Sequence, residues 1–144
     1  MSYQFKEVFG QDEKATCLEI RRVVFIEGQG VSAERERRDE EKPCRHFLVE
    51  LEGKPVATLR VVAEAGDAKI QRMAVLAEHQ GQQIGAKMLR DVLEVLAKDE
   101  NLTRAILGAQ AHALSFYRRA GFNVISDAFE DAGITHYLME KKLR

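Results

Sequence analysis

The chain has 144 residues, of which 45% are hydrophobic and 31% are charged. It is therefore long enough to bury one substantial core, and its composition argues against disorder. Twenty-two basic and 23 acidic residues give a net charge of −1, which provides no overall field to attract nucleic acid. The opening letters MSYQFKEV resemble neither a signal nor a transit peptide, and no apolar run approaches the roughly 18 residues of a membrane span. We expect a single cytoplasmic domain over residues 1–144, with no nucleic-acid or membrane partner.

The first half of the chain predicts three strands and one helix. The letters YQFKEV alternate like a short strand, and the pattern from Gln11 to Glu27 is helical. A charge-dense connection follows, from Gly28 to Cys44, which we interpret as a loop or a frayed helix. The letters HFLVELEGKPVATLRVVAE then predict two strands joined at Glu-Gly-Lys. The two cysteines, Cys17 and Cys44, lack CxxC spacing, so we expect reduced thiols and no metal site.

The second half alternates strands with helices. AKIQRMAVL predicts a strand, and Ile84 to Lys98 predicts an amphipathic helix with its leucines on one face. RAILGAQ predicts the next strand, and AHALSFYRRAG predicts a helix that ends at Gly121. FNVIS and THYLMEKKL close the chain as two more strands. This order indicates a mixed α/β domain built around one sheet.

The entry to the helix at Ile84 is unusually bare. The letters HQGQQIGAKMLR place Gly81 and Gly85 where a strand passes into a helix. The first N–H groups of a helix have no partners within it and carry partial positive charge, so they can bind an anion such as a phosphate. Two glycines alone fit a simple turn equally well. The segment matches neither the Walker loop nor the GxGxxG fingerprint.

The segment HQGQQIGAKML resembles the pyrophosphate loop of the GCN5-related N-acetyltransferase (GNAT) superfamily, written Arg/Gln-x-x-Gly-x-Gly/Ala. Gln80 takes the first position, Gln83 replaces the first motif glycine, and Gly85 takes the second. The resemblance extends through KIQRMAV and ILGAQAHALSFYRRAGF to nearly the whole chain. VFIEGQGV and EDAGITHYLM further resemble a small bacterial acetyltransferase subgroup related to glyphosate N-acetyltransferase. The resemblance implies a central, mostly antiparallel sheet of six to seven strands splayed at the middle, with about four helices.

The resemblance also implies a function and a cofactor site. The function is transfer of the acetyl group of acetyl-CoA to the amine of a small molecule, which can be acidic. Backbone N–H groups of the loop would hold the pyrophosphate, and residues 73–75 would pair with the pantetheine as an added strand. Lys87 and Arg118 could reach phosphates or be solvated surface charges. The implied cofactor residues are Met73, Ala74, Val75, Gln80, Gly81, Gln82, Gln83, Ile84, Gly85, Ala86, Lys87, Tyr117 and Arg118.

Two residues are candidates for catalysis. The family pattern puts Tyr117 beside the coenzyme A sulfur, where its hydroxyl could hydrogen-bond the developing thiolate; a core position on its helix is the alternative. Relatives with a similar ending use the histidine as the general base, which here is His136. Glu130 is the reserve, and a buried, hydrogen-bonded histidine is the alternative.

The acceptor is less defined. Arg22 and Arg72 correspond to arginines that hold acidic groups in the glyphosate acetyltransferase-like relatives, and Gln110 occupies a third such position. Phe25 completes the implied substrate-binding set. Each arginine could instead be a structural ion-pair partner. A non-catalytic acyl-CoA-binding module and a protein N-acetyltransferase are the alternative functions, and the resemblance allows a homodimer.

Overall fold

The computed structural model describes residues 2–28, 44–81 and 83–144. Most of the charge-dense connection and Gln82 therefore lie outside the described residues. One eight-stranded sheet has the order β1-β2-β3-β4-β5-β8-β6, and β7 pairs with β8. The strands are β1 Tyr3–Val8, β2 Arg45–Leu51, β3 Lys54–Glu64, β4 Asp67–Val75, β5 Arg104–Gln110, β6 Asn123–Val124, β7 Phe129–Asp131 and β8 Ile134–Lys142.

Three α-helices accompany the sheet within the described ranges: α1 Gln11–Arg21, α2 Ile84–Ala97 and α3 Leu114–Arg119. The predicted helix from Gln11 to Glu27 is continuous, but it changes at Arg22 into a π-helical segment, Arg22–Gly28. Such segments are rare and occur frequently at functional sites. None of the described helices is long and apolar enough to cross a membrane.

The sheet is splayed at its middle. Its pairs are antiparallel except for β4 and β5, which run parallel and pair only over Asp67–Lys69 and Arg104–Ile106. Beyond this point β4 continues to Val75 and β5 to Gln110 without pairing with each other. The implied splayed, mostly antiparallel sheet is confirmed, and the open edges of two strands face the gap.

Hydrophobic side chains cover both faces of the sheet. On one face, α2 contributes six buried apolar residues, and Tyr117 and Phe116 of α3 pack against the same cluster. Burial of each such side chain contributes about 1.5–3 kcal/mol. On the other face, Cys17 and Ile20 of α1 pack with apolar residues of β1, β2 and β4. Both cysteines of the chain are free thiols.

The sheet has eight strands rather than the six to seven implied by the resemblance. The additional hairpin arm is β7, which pairs with the start of β8 through Phe129 and His136. Its three residues, Phe-Glu-Asp, are all exposed. A strand this short and acidic shows no period-two apolar pattern, and the sequence gives no signal that separates it from a turn.

Candidate active site

A groove with a cavity volume of about 1150 Å³ lies between α2 and α3 and reaches the gap between β4 and β5. Val24 of the π-helical segment and Ala74 also line it, although both pack with α1 on the opposite face. The cavity therefore extends through the splayed sheet. Its other lining residues are Met73, Val75, His79, Gln80, Gly81, Gln83, Ile84, Gly85, Ala86, Arg90, Leu93, Glu94, Ala97, His112, Ala113, Phe116, Tyr117, Arg119, Ala120 and Lys141.

The N-terminus of α2 forms one end of this groove. Gln83 precedes the helix with φ 63°, a left-handed conformation, and its side chain makes no capping hydrogen bond. Gly81 has φ 85°. The side-chain amide nitrogen of Gln80 donates a hydrogen bond to the Val75 carbonyl oxygen at 2.9 Å, which ties the loop to the end of β4. The first backbone N–H groups of α2 thus meet the groove without a side-chain cap, which is the geometry of an anion site.

Gly85 lines the groove and has no side chain to fill it. A Cβ added there would lie 3.6 Å from Phe116 Cζ and 3.7 Å from Val75 Cγ2. An alanine would make ordinary contacts, whereas a branched side chain would extend beyond them into the same narrow space. The second motif glycine therefore leaves room for a ligand against the first turn of α2.

The open edge of β4 owes its orientation to a bulge. Between the paired residues Thr58↔Ala74 and Arg60↔Gln71, β3 has one residue and β4 has two. Arg72 is the first of those two and has φ 55°. An extra residue exchanges the two faces of the strand beyond it, so Met73 and Val75 pack on the α2 side. Both residues consequently line the groove.

Tyr117 lies on the groove wall formed by α3. Its ring makes edge contacts with Phe116 and Phe122, with centroids 5.0 and 6.1 Å apart. Burial raises the pKa of Tyr117 above its usual value of 10, so its hydroxyl stays protonated through the neutral range. That hydroxyl makes no hydrogen bond to any described residue, which leaves it available as a donor.

The histidines divide between the two faces. His79 and His112 line the groove, and His112 Nε2 lies 2.6 Å from the Gln110 side-chain oxygen. His136 pairs with Gln110 at the end of β5, and its Nδ1 lies 2.8 Å from the Ile134 carbonyl oxygen. Because buried Met139 faces α2 and α3, alternation points His136 to the opposite face. Its role as a base stays a prediction.

The predicted acceptor residues are not gathered around one point. Arg22 is exposed and forms ion pairs with Glu19, at 2.5 Å, and with Glu27, so its charge is already matched. Phe25 packs against the apolar cluster under α1. Gln110 ends β5 beside the gap and contacts His112. Arg72 occupies the bulge of β4. The structure brings the last two near the splay and leaves Arg22 on the π-helical segment.

The two predicted phosphate contacts lie outside the groove lining, and other cations line it. The Lys87 ammonium lies 4.0 Å above the centre of the Tyr3 ring, and Arg118 is exposed. Their role at the phosphates stays a prediction. The cations on the lining are Arg90, Arg119 and Lys141. The two neighbouring arginines, Arg118 and Arg119, predict a positive charge at this end of α3. The sequence alone does not indicate which of the two lines the cavity.

The comparisons with known proteins agree with this geometry. The family described as "Acetyltransferase (GNAT) domain" matches residues 21–143. The chain is 34% identical to the uncharacterized protein YyaT of Bacillus subtilis, over 96% of the chain and 95% of YyaT. It is 36% identical to the uncharacterized N-acetyltransferase YjcF of the same organism, over 85% and 87%.

Solved structures share the fold at lower identity. Escherichia coli ElaA superposes with a TM-score of 0.86 at 22% identity, covering 97% of this chain and 99% of ElaA. The PaiA N-acetyltransferase of Thermoplasma acidophilum, in complex with coenzyme A, superposes with a TM-score of 0.75 at 17% identity, covering 99% of both chains. The splayed sheet, the glycine-bearing helix entry and the family match lead to one conclusion: the chain belongs to the GNAT acetyltransferase family.

Proposed function

We propose that this protein is an N-acetyltransferase that moves the acetyl group of acetyl-CoA to the amine of a small molecule. One observation carries the proposal: the groove joins an uncapped helix N-terminus to the gap between β4 and β5. An extended cofactor with a pyrophosphate at one point and a hydrogen-bonding arm beyond it fits that shape. The coenzyme A in the structure of the PaiA N-acetyltransferase supports the choice of cofactor.

The cofactor's charge and shape suit the residues present. The N–H groups at Ile84, Gly85 and Ala86 would hold the pyrophosphate, and Arg90, Arg119 and Lys141 add positive charge along the groove. The open edge of β4 at residues 73–75 would hydrogen-bond the pantetheine as an added strand. Bound acetyl-CoA supplies the thioester on which transfer takes place.

Transfer requires two proton movements. The acceptor ammonium must lose a proton before its nitrogen forms the new bond to the acetyl carbon, and His136 is our candidate to take it, directly or through a water. As the carbon–sulfur bond breaks, negative charge collects on sulfur. The protonated Tyr117 hydroxyl can donate a hydrogen bond to that charge, and the thiolate takes up a proton after it has left. Glu130, on exposed β7, is the reserve base.

The acceptor would enter from the face opposite to α2 and α3. The cavity reaches Val24 on that face, and Phe25 lies on the same π-helical segment. Arg72 at the bulge, and Arg22 if its ion pairs open, could bind an acidic group of the acceptor through charge-assisted hydrogen bonds. We therefore propose a small amine, with an acidic substituent allowed, as the acceptor.

The acceptor class is tested by measuring thiol release from acetyl-CoA with matched pairs of amines. Each pair differs only in a carboxylate or phosphonate placed near the amine. We expect turnover with amines, and a lower KM for the acidic member of each pair than for its neutral partner. In Arg72→Gln, the KM for the acidic member should rise. Equal KM values within every pair would remove the acidic preference while leaving acetyl transfer in place.

The main alternative is a domain that binds acyl-CoA without catalysis. The groove serves binding and catalysis equally well. A tyrosine on the groove wall, its ring held by two aromatic edge contacts, favours catalysis, because a pure binder does not need a hydroxyl donor. Substitution of Tyr117 separates the two functions, because a loss of its hydroxyl would affect turnover and not binding.

A further inference from the structure

A polar pair, one member buried and the other partly buried, lies directly beside the bulge of β4. Arg60 of β3 is 1% exposed, and its Nε donates to the Gln71 side-chain oxygen at 3.0 Å. The two residues are also cross-strand partners in the sheet. A guanidinium is costly to bury, and an apolar residue of similar volume commonly serves a core at least as well.

The bulge itself is strained and needs support. Arg72 follows Gln71 directly and has φ 55°. A side chain other than glycine pays about 1–2 kcal/mol in that left-handed conformation. A strand that relaxed by one residue would avoid this cost, but it would turn Met73 and Val75 away from the groove. Something must therefore hold the register on the near side of Arg72.

We propose that Arg60 and Gln71 form a clamp that positions the acyl-CoA-binding edge of β4. Arg60 acts through Gln71: the hydrogen bond fixes the last residue of β4 that pairs with β3 before the bulge, so the extra residue falls at Arg72 and not elsewhere. Met73 and Val75 then face the groove. Both clamp residues are positioning residues with no contact to the cofactor, and the inference rests on the proposed acetyl-CoA site.

The clamp lies where an error in register would matter most. The last β4 residue paired with β5 is Lys69, and Gln71 is two positions further along. From here onward, within the part of the chain that the structure describes, β3 is the one strand that pairs with β4. In a fully paired strand, two neighbours would resist a slip, whereas here the side-chain bond to β3 is the additional restraint.

The test uses variants of Gln71 and Arg72 in the full chain, with the dissociation constant of acetyl-CoA measured by calorimetry without an acceptor. Gln71→Leu removes the hydrogen-bond acceptor atom and keeps a side chain of similar size. We expect this variant to bind acetyl-CoA about tenfold more weakly. That factor corresponds to the strain that the left-handed residue loses when the bulge relaxes. Gln71→Glu keeps an acceptor for Arg60 and should bind like the unsubstituted protein.

The decisive variant is Gln71→Leu combined with Arg72→Gly. Glycine adopts φ 55° without strain, so the bulge gains nothing by relaxing, and affinity should return to within about threefold of the Arg72→Gly protein. A general loss of stability would not be repaired in this way. If Gln71→Leu does not fold, Gln71→Asn, whose amide is one methylene too short for the bond, should show a smaller loss with the same recovery.

The outcomes are separable. Binding by Gln71→Leu equal to that of the unsubstituted protein, or a folded double variant with no recovery, overturns the clamp and leaves the proposed function intact. No binding of acetyl-CoA by the unsubstituted protein overturns both. Weakened binding restored by Arg72→Gly and preserved in Gln71→Glu supports the clamp.

Discussion

Tyr117 differs from the other two tyrosines of the chain in lining the groove. Removing its hydroxyl removes an interaction that strengthens only as the thiolate forms. Tyr117→Phe should therefore lower kcat by about 10–1000-fold while the dissociation constant of acetyl-CoA changes little. Calorimetry and steady-state kinetics measure the two effects. Tyr137→Phe, at a tyrosine outside the groove lining, is the matched control. Unaltered kcat in Tyr117→Phe would assign the proton donation to a water or a backbone group.

His136 is tested through the pH dependence of turnover. A histidine acts as a general base only in its neutral form, so the rate rises with pH on the acidic limb of the profile. We expect His136→Ala to lower turnover and to flatten the acidic limb of the profile, with acetyl-CoA binding retained. The same profile for His112→Gln provides the comparison, because His112 lines the groove on the other face. An unchanged acidic limb in His136→Ala would exclude it as the base, and Glu130 would be the next variant.

His46 is expected to make the fold sensitive to acid. Burial and the nearby cations Arg21, Lys14 and Arg60 lower the pKa of His46 below its usual 6.5. The unfolded chain therefore binds more protons at mildly acidic pH, so this contribution to the free energy of unfolding is present above about pH 6.5 and is lost as pH falls through the folded pKa. His46→Gln should show a smaller drop in Tm than the unsubstituted protein between about pH 8 and pH 5. Equal drops would refute this assignment.

At the scale of elements, the entry to α2 carries the cofactor hypothesis. Gly85→Val would place methyl groups against Phe116 and Val75 and narrow the groove beside the helix N-terminus. We expect acetyl-CoA to bind about 5–150-fold more weakly in a folded protein, since overpacking of this kind costs about 1–3 kcal/mol. Gly85→Ala, whose Cβ makes only ordinary contacts, is the control. Full affinity for acetyl-CoA in a folded Gly85→Val protein would contradict a pyrophosphate site at the N-terminus of α2.

Elements with their own local signals could be predicted from the sequence. The start of α2 at Ile84 and the span of β5 follow from clear periodicity, and the structure has both at the predicted positions. The bulge was not predictable, because its left-handed position holds Arg72 where a glycine would have signalled it. Gln83 is a parallel case: glycine, which the superfamily motif has at this position, adopts a φ of 63° without strain, but only the backbone reveals that conformation.

For the whole molecule, the resemblance predicted more than the residue pattern did. Periodicity indicated a mixed α/β domain. The splay between β4 and β5 arises because their pairing ends after Lys69, and the sequence of neither strand alone predicts where that pairing ends. The groove joins residues far apart in the chain, such as Val24, Gly85 and Lys141. The cations on its lining are not Lys87 and Arg118. Lys87 lies over the ring of Tyr3, a contact between distant residues that helix periodicity cannot reveal.

The central claim is that this fold transfers an acetyl group and does not merely bind its carrier. The most direct measurement follows free thiol and N-acetyl product together, with acetyl-CoA and a panel of amines, amino acids, aminophosphonates and peptides. We predict that at least one small amine gives thiol and N-acetylated product in equal amounts, with release falling to background when the amine is omitted. Tight binding of acetyl-CoA with no amine-dependent thiol release across the panel would contradict the account and identify the protein as an acyl-CoA-binding module.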